Sequence, residues 1–201
     1  MKAAVSPLIS QTTAEYHQWQ LKSGASPNRC GPFSIAIAGN LMTKSFQFDG
    51  DTVAEEMKRN WLEWQPRKAL LPRLNRFPPD SATMPGAIAR YLTSHGVRAK
   101  LRVFGSLAAL QETLSRGMCA IPIIGQWTTH AGFRWQPWGH ALVVVGLAEE
   151  RVIVLDPAQK TINPNDLHLY PSAVFLRYWS SMARIWIQVG DDQGRKREPS
   201  L

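Results

Sequence analysis

The stretch Cys30-Gly-Pro-Phe-Ser-Ile-Ala-Ile-Ala-Gly-Asn-Leu constrains this chain most. Pro32 suits the first turn of a helix, where its missing N–H has no partner to lose. Phe33, Ile35, Ile37, Ala38 and Leu41 then leave almost no polar side, which predicts a buried central helix over about 31–43. A helix of this kind must be wrapped by other elements, so the rest of the chain has to supply layers around it.

Those layers are visible in outline. Residues 49–64 read as a second helix, capped by Asp49 or Asp51 with acidic residues early in the run. Segment 65–82 is proline-rich and reads as an irregular loop. A helix follows from about 83, with Pro85 near its start and Gly96 as its stop. "VRAKLRVF" alternates like a strand, and Ser106 to Arg116 reads as a helix ended by Gly117. Then "MCAIPIIG", "HAGFRWQ", "HALVVVGL", "RVIVLDP" and "ARIWIQVG" read as strands, with "PSAVFLRYWS" helical between the last two. "HALVVVGL" and "RVIVLDP" are joined by a short turn at 148–150, a hairpin signature. The order predicts an α+β fold with a central N-terminal helix packed on an antiparallel sheet. Residues 1–25 form an arm, 26–190 the folded domain and 191–201 a polar, disordered tail.

The length and the 44% hydrophobic content suit a globular chain. The 23 Lys and Arg exceed the 15 Asp and Glu, giving a formal charge of +8, which favours acidic partners. The excess is scattered, and no zinc-finger spacing, RNP sequence or long basic helix is present, so nucleic acid is not expected as a partner. No run has the length of a membrane span, and the N-terminus lacks a signal-peptide core. Two cysteines, Cys30 and Cys119, make no disulfide framework and read as thiols in a reducing, cytoplasmic setting. Secretion by a route without a signal peptide stays open.

Cys30 lies at the start of the central helix, whose positive end favours a thiolate. His140 opens "HALVVVGL" and Asp156 closes "RVIVLDP", sixteen positions later. In an antiparallel hairpin the start of one strand lies beside the end of the next, so His140 and Asp156 are expected as neighbours. A His beside the thiol serves as base and acid, and an Asp on its other nitrogen fixes the ring. His130 is a rival base without a matching downstream Asp. Cys119 reads as a core residue, and His17, His95 and His168 as surface residues. Trp127, Trp135 and Trp138 precede His140, and the latter two are candidates for a substrate cleft. No metal-ligand spacing and no phosphate-binding glycine loop are present, so no cofactor is expected.

The blocks "NRCGPFSIAIAGNL", "WGHALVVVGL", "VIVLDPA" and "FLRYWSSMARIWIQV" resemble the papain-like cysteine peptidases. The branch they are most similar to contains the bacteriocin-leader (double-glycine) peptidases of export transporters and their stand-alone relatives. The resemblance implies a hydrolase that cleaves a peptide or related amide bond through a thioester, with Cys30 as nucleophile, His140 as base and Asp156 as orienting residue. It implies a peptide or protein substrate. That family carries an oxyanion-binding Gln about six residues before its Cys, where this chain has Gly24. Asn28, Gln20 and Gln18 are the carboxamides left as candidates for that role. The departure leaves acyl transfer on the same triad, or a non-catalytic binding module on the same scaffold, as alternatives.

Overall fold

A computed structural model describes residues 4–5, 29–63, 73–75, 82–130, 133–157 and 168–191. For 4–5, 63, 73–74, 126–130 and 133–138 the backbone alone is described. The predicted 1–25 arm, apart from residues 4–5, and all of the 191–201 tail except Asp191 lie outside the described residues.

Helix α1 (Cys30–Thr43) is the central element, and every residue from Gly31 to Leu41 is buried. Helix α2 (Gly50–Arg59) starts at Asp49, whose side chain accepts the Thr52 N–H at 2.9 Å. A cap of this kind is worth about 1 kcal/mol. Between the two helices, buried Asn40 pins the connecting loop. Its Nδ2 donates to the Phe48 carbonyl at 2.7 Å, and its Oδ1 accepts the N–H groups of Gln47 and Phe48 at 2.9 and 2.8 Å. Helix α2 stops earlier than the sequence suggests. Asn60 caps it, the Asn75 side chain holds the Asn60 carbonyl at 2.7 Å, and β2 (Leu62–Glu63) turns away to pair with β3 (Arg73–Leu74). This contact from distant sequence overrides the helical pattern of 61–64. Helix α3 (Pro85–Ser94) has Pro85 at its first position, and Gly96, at φ 82°, follows its end. Tyr91 of α3 donates to Glu56 of α2 at 2.5 Å.

The sheet forms from β4 (Ala99–Arg102), β5 (Cys119–His130), β6 (Phe133–Ala141), β7 (Val143–Ala148), β8 (Arg151–Leu155), β9 (His168–Pro171) and β10 (Trp186–Val189). Its order is β4-β10-β5-β7-β8-β9, with β6 continuing along β5 and β1 (Ala4–Val5) pairing with β7. All of these pairs are antiparallel. Helices α4 (Leu107–Ser115) and α5 (Ser172–Ser180) complete the fold. Ser106 caps α4 by accepting the Ala109 N–H at 3.1 Å.

Side-chain alternation along the strands divides the core in two. Cys119, Ile121, Val143, Val145, Ile153, Leu155, Ile187 and Val189 pack with α1, α2 and α3. Ala120, Ile124, Val144, Val152, Val154 and Trp186 pack with α4 and α5 around Phe175 and Trp179. A sheet covered on both faces explains why β7 and β8 read as near-continuous apolar runs. Two strand readings change. Strand β5 runs on past Gly125 to His130, and β6 is one strand through His140, so His140 is its penultimate residue and not a strand opener. The extra length mixes polar residues with Trp127, Phe133, Trp135 and Trp138, and backbone pairing holds the hairpin of β5 and β6 there. Strand β9, which the sequence reading lacked, pairs with β8 at the sheet edge.

Candidate active site

Cys30 is the first residue of α1, and its side chain is partly exposed where the rest of the helix is buried. Arg29, just before it, bonds Asp51 at 2.6 Å and Glu55 at 3.4 Å, tying the entry of α1 to α2. Gly31 is required by close approach. A Cβ there would lie 2.6 Å from the Thr83 Cβ and 2.7 Å from its Oγ1. The Cys-Gly-Pro order thus gives a thiol at the helix start, a residue without a side chain where another segment crosses, and a residue without an N–H.

His140 comes from the end of β6, opposite Ile124 on β5. Asp156 follows the last residue of β8, and Val143 pairs with Leu155 next to them. The hairpin expected from the sequence therefore brings the two side chains together. His140 Nε2 and Asp156 Oδ1 are 2.6 Å apart, and both residues are 6% exposed. With Nε2 engaged by the carboxylate, Nδ1 is the ring nitrogen left for the hydrogen bond that His140 makes with Cys30. The structure thus assembles all three residues picked from the sequence. Tyr170, on β9, donates its hydroxyl to Asp156 Oδ2 at 3.4 Å. The Tyr170 phenol is pushed up to about 12 by burial and by the Asp156 charge, so it stays a donor.

The electrostatics follow from this arrangement. Burial alone would push the Cys30 thiol up. The hydrogen bond and charge of His140, with the backbone N–H groups of Ala141 and Gly31, act the other way and carry it below its ordinary value. For His140, burial disfavours the charged ring. Bonds to Asp156 and Cys30, and their charges, outweigh that and push it up to about 10. The two shifts have one cause, because the hydrogen bond and charge shared by Cys30 and His140 favour thiolate on one and imidazolium on the other. Such a site can present a nucleophile and a proton donor at once.

Asn28, Gln20, Gln18 and Gly24 lie outside the described residues, as does His17. The backbones of Trp135 and Trp138 lie on β6, with Trp138 opposite Gln126, and their side chains are outside the described residues. His130 ends β5 six positions beyond Ile124, about 20 Å along the strand from the position of His140. Cys119 is buried in the core, and burial pushes its thiol up to about 12. His95 is exposed and stacks on Tyr91, and half-buried His168 packs against Tyr170. Tyr170 and Thr83 were not singled out by sequence, since a Tyr or Thr in such segments carries no local signature.

Among the described residues no helix is long and apolar enough to cross a membrane. No known family model matches this sequence, and no curated protein matches it. Among solved structures the chain is similar to a candidate C39-like peptidase from Bacillus anthracis. That likeness has a TM-score of 0.58 and 15% sequence identity, over 82% of this chain and 90% of that one. The chain has the α+β, papain-like fold of that peptidase, with a central helix on an antiparallel sheet.

Proposed function

We propose that this chain is a cysteine peptidase that hydrolyses a peptide or related amide bond through a thioester. The observation that carries this is the Cys30–His140–Asp156 arrangement, in which His140 bonds Asp156 at 2.6 Å and the Cys30 thiol is held below its ordinary value. The Cys30 thiolate attacks the substrate carbonyl carbon and the C–O π pair moves onto oxygen. Imidazolium at His140 then gives its proton to the leaving amine as the C–N bond breaks, leaving a thioester and a neutral ring. The ring next takes a proton from water, which attacks the thioester and releases the acid and the thiolate. Asp156 keeps the ring oriented throughout and stabilises its charged form. The oxyanion needs N–H donors, and the Gly31 and Ala141 N–H groups already directed at the sulfur stand near the place where it forms.

Iodoacetamide alkylation mapped by mass spectrometry at pH 6–7, together with turnover of a peptide library, tests the reading. Cys30 should alkylate faster than an ordinary cysteine in a peptide, and library cleavage should vanish in Cys30→Ala. A Cys30 that reacts no faster than such a peptide, or cleavage that survives the substitution, overturns it.

A further inference from the structure

Among the described residues two buried side-chain hydroxyls have no hydrogen-bond partner, those of Ser34 and Thr83. Ser34 lies one helical turn beyond Cys30 and is wholly buried in α1. Thr83 lies in the segment that leads into α3 and meets the first turn of α1 at Gly31. The neighbouring Met84 N–H donates to the Asn75 carbonyl at 3.0 Å, so the backbone there is held. The Thr83 side chain sits against Gly31, 2.7 Å from where a Cβ would be, and the Gly31 N–H is one of the groups directed at the Cys30 sulfur. Unlike Ser34, Thr83 is partly exposed as a whole residue, so it lies where the first turn of α1 comes close to the surface.

A hydroxyl kept from water without a partner is unfavourable, and in native chains such a group calls for an explanation. Here its position supplies one. On the reading of Cys30 as a nucleophile, we infer that Thr83 is a substrate-contacting residue, whose hydroxyl bonds a peptide carbonyl or N–H of the amide substrate seated at Cys30. The free protein then holds an orphan group that the substrate satisfies. No covalent bond changes in this contact. Its signature is an opposition between stability and reactivity, because removing the hydroxyl relieves the free protein and weakens the bound state.

The isosteric variant Thr83→Val tests this with two reagents on the full chain. Iodoacetamide reports the thiolate alone, and a tripeptidyl acyloxymethyl ketone with glycine beside the reactive carbon reports the peptide-binding cleft. In Thr83→Val the iodoacetamide rate at Cys30 should hold within about twofold. The peptidyl rate should fall roughly 5–10-fold, the loss expected of one hydrogen bond. The melting temperature should stay level or rise by about 2–4 °C. Thr83→Ser, which keeps the hydroxyl, should retain the peptidyl rate within about threefold. An unchanged peptidyl rate in Thr83→Val overturns the inference. So does a fall in melting temperature with both rates, which would mean that the hydroxyl holds a structural water. A wild-type Cys30 that iodoacetamide does not favour rejects the nucleophile reading itself, and this inference with it.

Discussion

The two cysteines of this chain carry the same thiol and sit in opposite surroundings. Cys30 begins a helix, meets His140 and is held below its ordinary pKa. Cys119 begins β5, is 1% exposed among apolar side chains, and is pushed up to about 12. Burial raises both. The difference is made by what else is present, a charged ring and directed N–H groups in one place and none of comparable weight in the other. Reactivity in a chain like this is thus a property of partners, and each partner can be removed to see whether the contrast survives.

The largest effect is expected from Cys30→Ala, which should lower peptide turnover by at least ~10³-fold, while Cys119→Ala leaves turnover within about twofold. Next comes His140→Asn. Without the ring, burial is opposed only by the backbone N–H groups of Ala141 and Gly31, so the Cys30 thiol should move up and its alkylation at pH 7 should fall to no more than that of a cysteine in a peptide. The pH profile sharpens the point. In the wild type, alkylation should rise at lower pH than for a cysteine in a peptide, and change again as His140 loses its proton near 10. In Asp156→Asn the upper step should move to lower pH, because the carboxylate is one of the causes that raise His140. The sign for stability is set by the same shifts. The His140 contribution is complete below its unfolded value of about 6.5 and is lost as pH rises toward about 10. Chemical denaturation of the wild type and of Asp156→Asn at pH 6 and pH 9.5 should therefore show a smaller gap between the two proteins at the higher pH.

How much of this could be read from sequence depends on how local the signal was. Cys30 was legible because a proline and an apolar run mark the helix that it starts. His140 and Asp156 were legible because a tight turn at Glu149 and Glu150 returns Asp156 to the end of the hairpin where His140 lies, although the bulge between Val144 and Gly146 that sets the final register was not. The apolar runs of β7 and β8 gave the strands without saying that helices cover both faces, since that is decided by α4 and α5. Asn40, Thr83 and Tyr170 were not legible as supports. Each meets a neighbour that its own segment does not announce: a loop backbone, a glycine of α1, a carboxylate just past the end of β8. The β5 extension from Gln126 to Thr129 was missed for the opposite reason, while Phe133 to Gln136 of β6 was already legible as a strand. Backbone pairing across a hairpin leaves no apolar period to detect.

The smallest effect belongs to the quiet thiol, and it completes the contrast. Cys119 pairs with Val189 on β10 and packs among Ile121, Val143 and the residues of α1. Its sulfur acts there as a small apolar group. Cys119→Ala removes that volume, and the sheet on one side and α1 on the other limit how far the gap can close, so a loss of about 1 kcal/mol is expected. Cys119→Ser keeps the shape and changes the polarity. It buries a hydroxyl among hydrocarbon side chains, which costs about 1–3 kcal/mol when no partner is found. Serine should thus be the more damaging of the two at this position, as urea denaturation midpoints would show. Iodoacetamide alkylation of Cys30 should be the same in both variants. If serine were the milder change, Cys119 would sit in a polar environment, and burial among apolar groups would no longer account for its raised thiol.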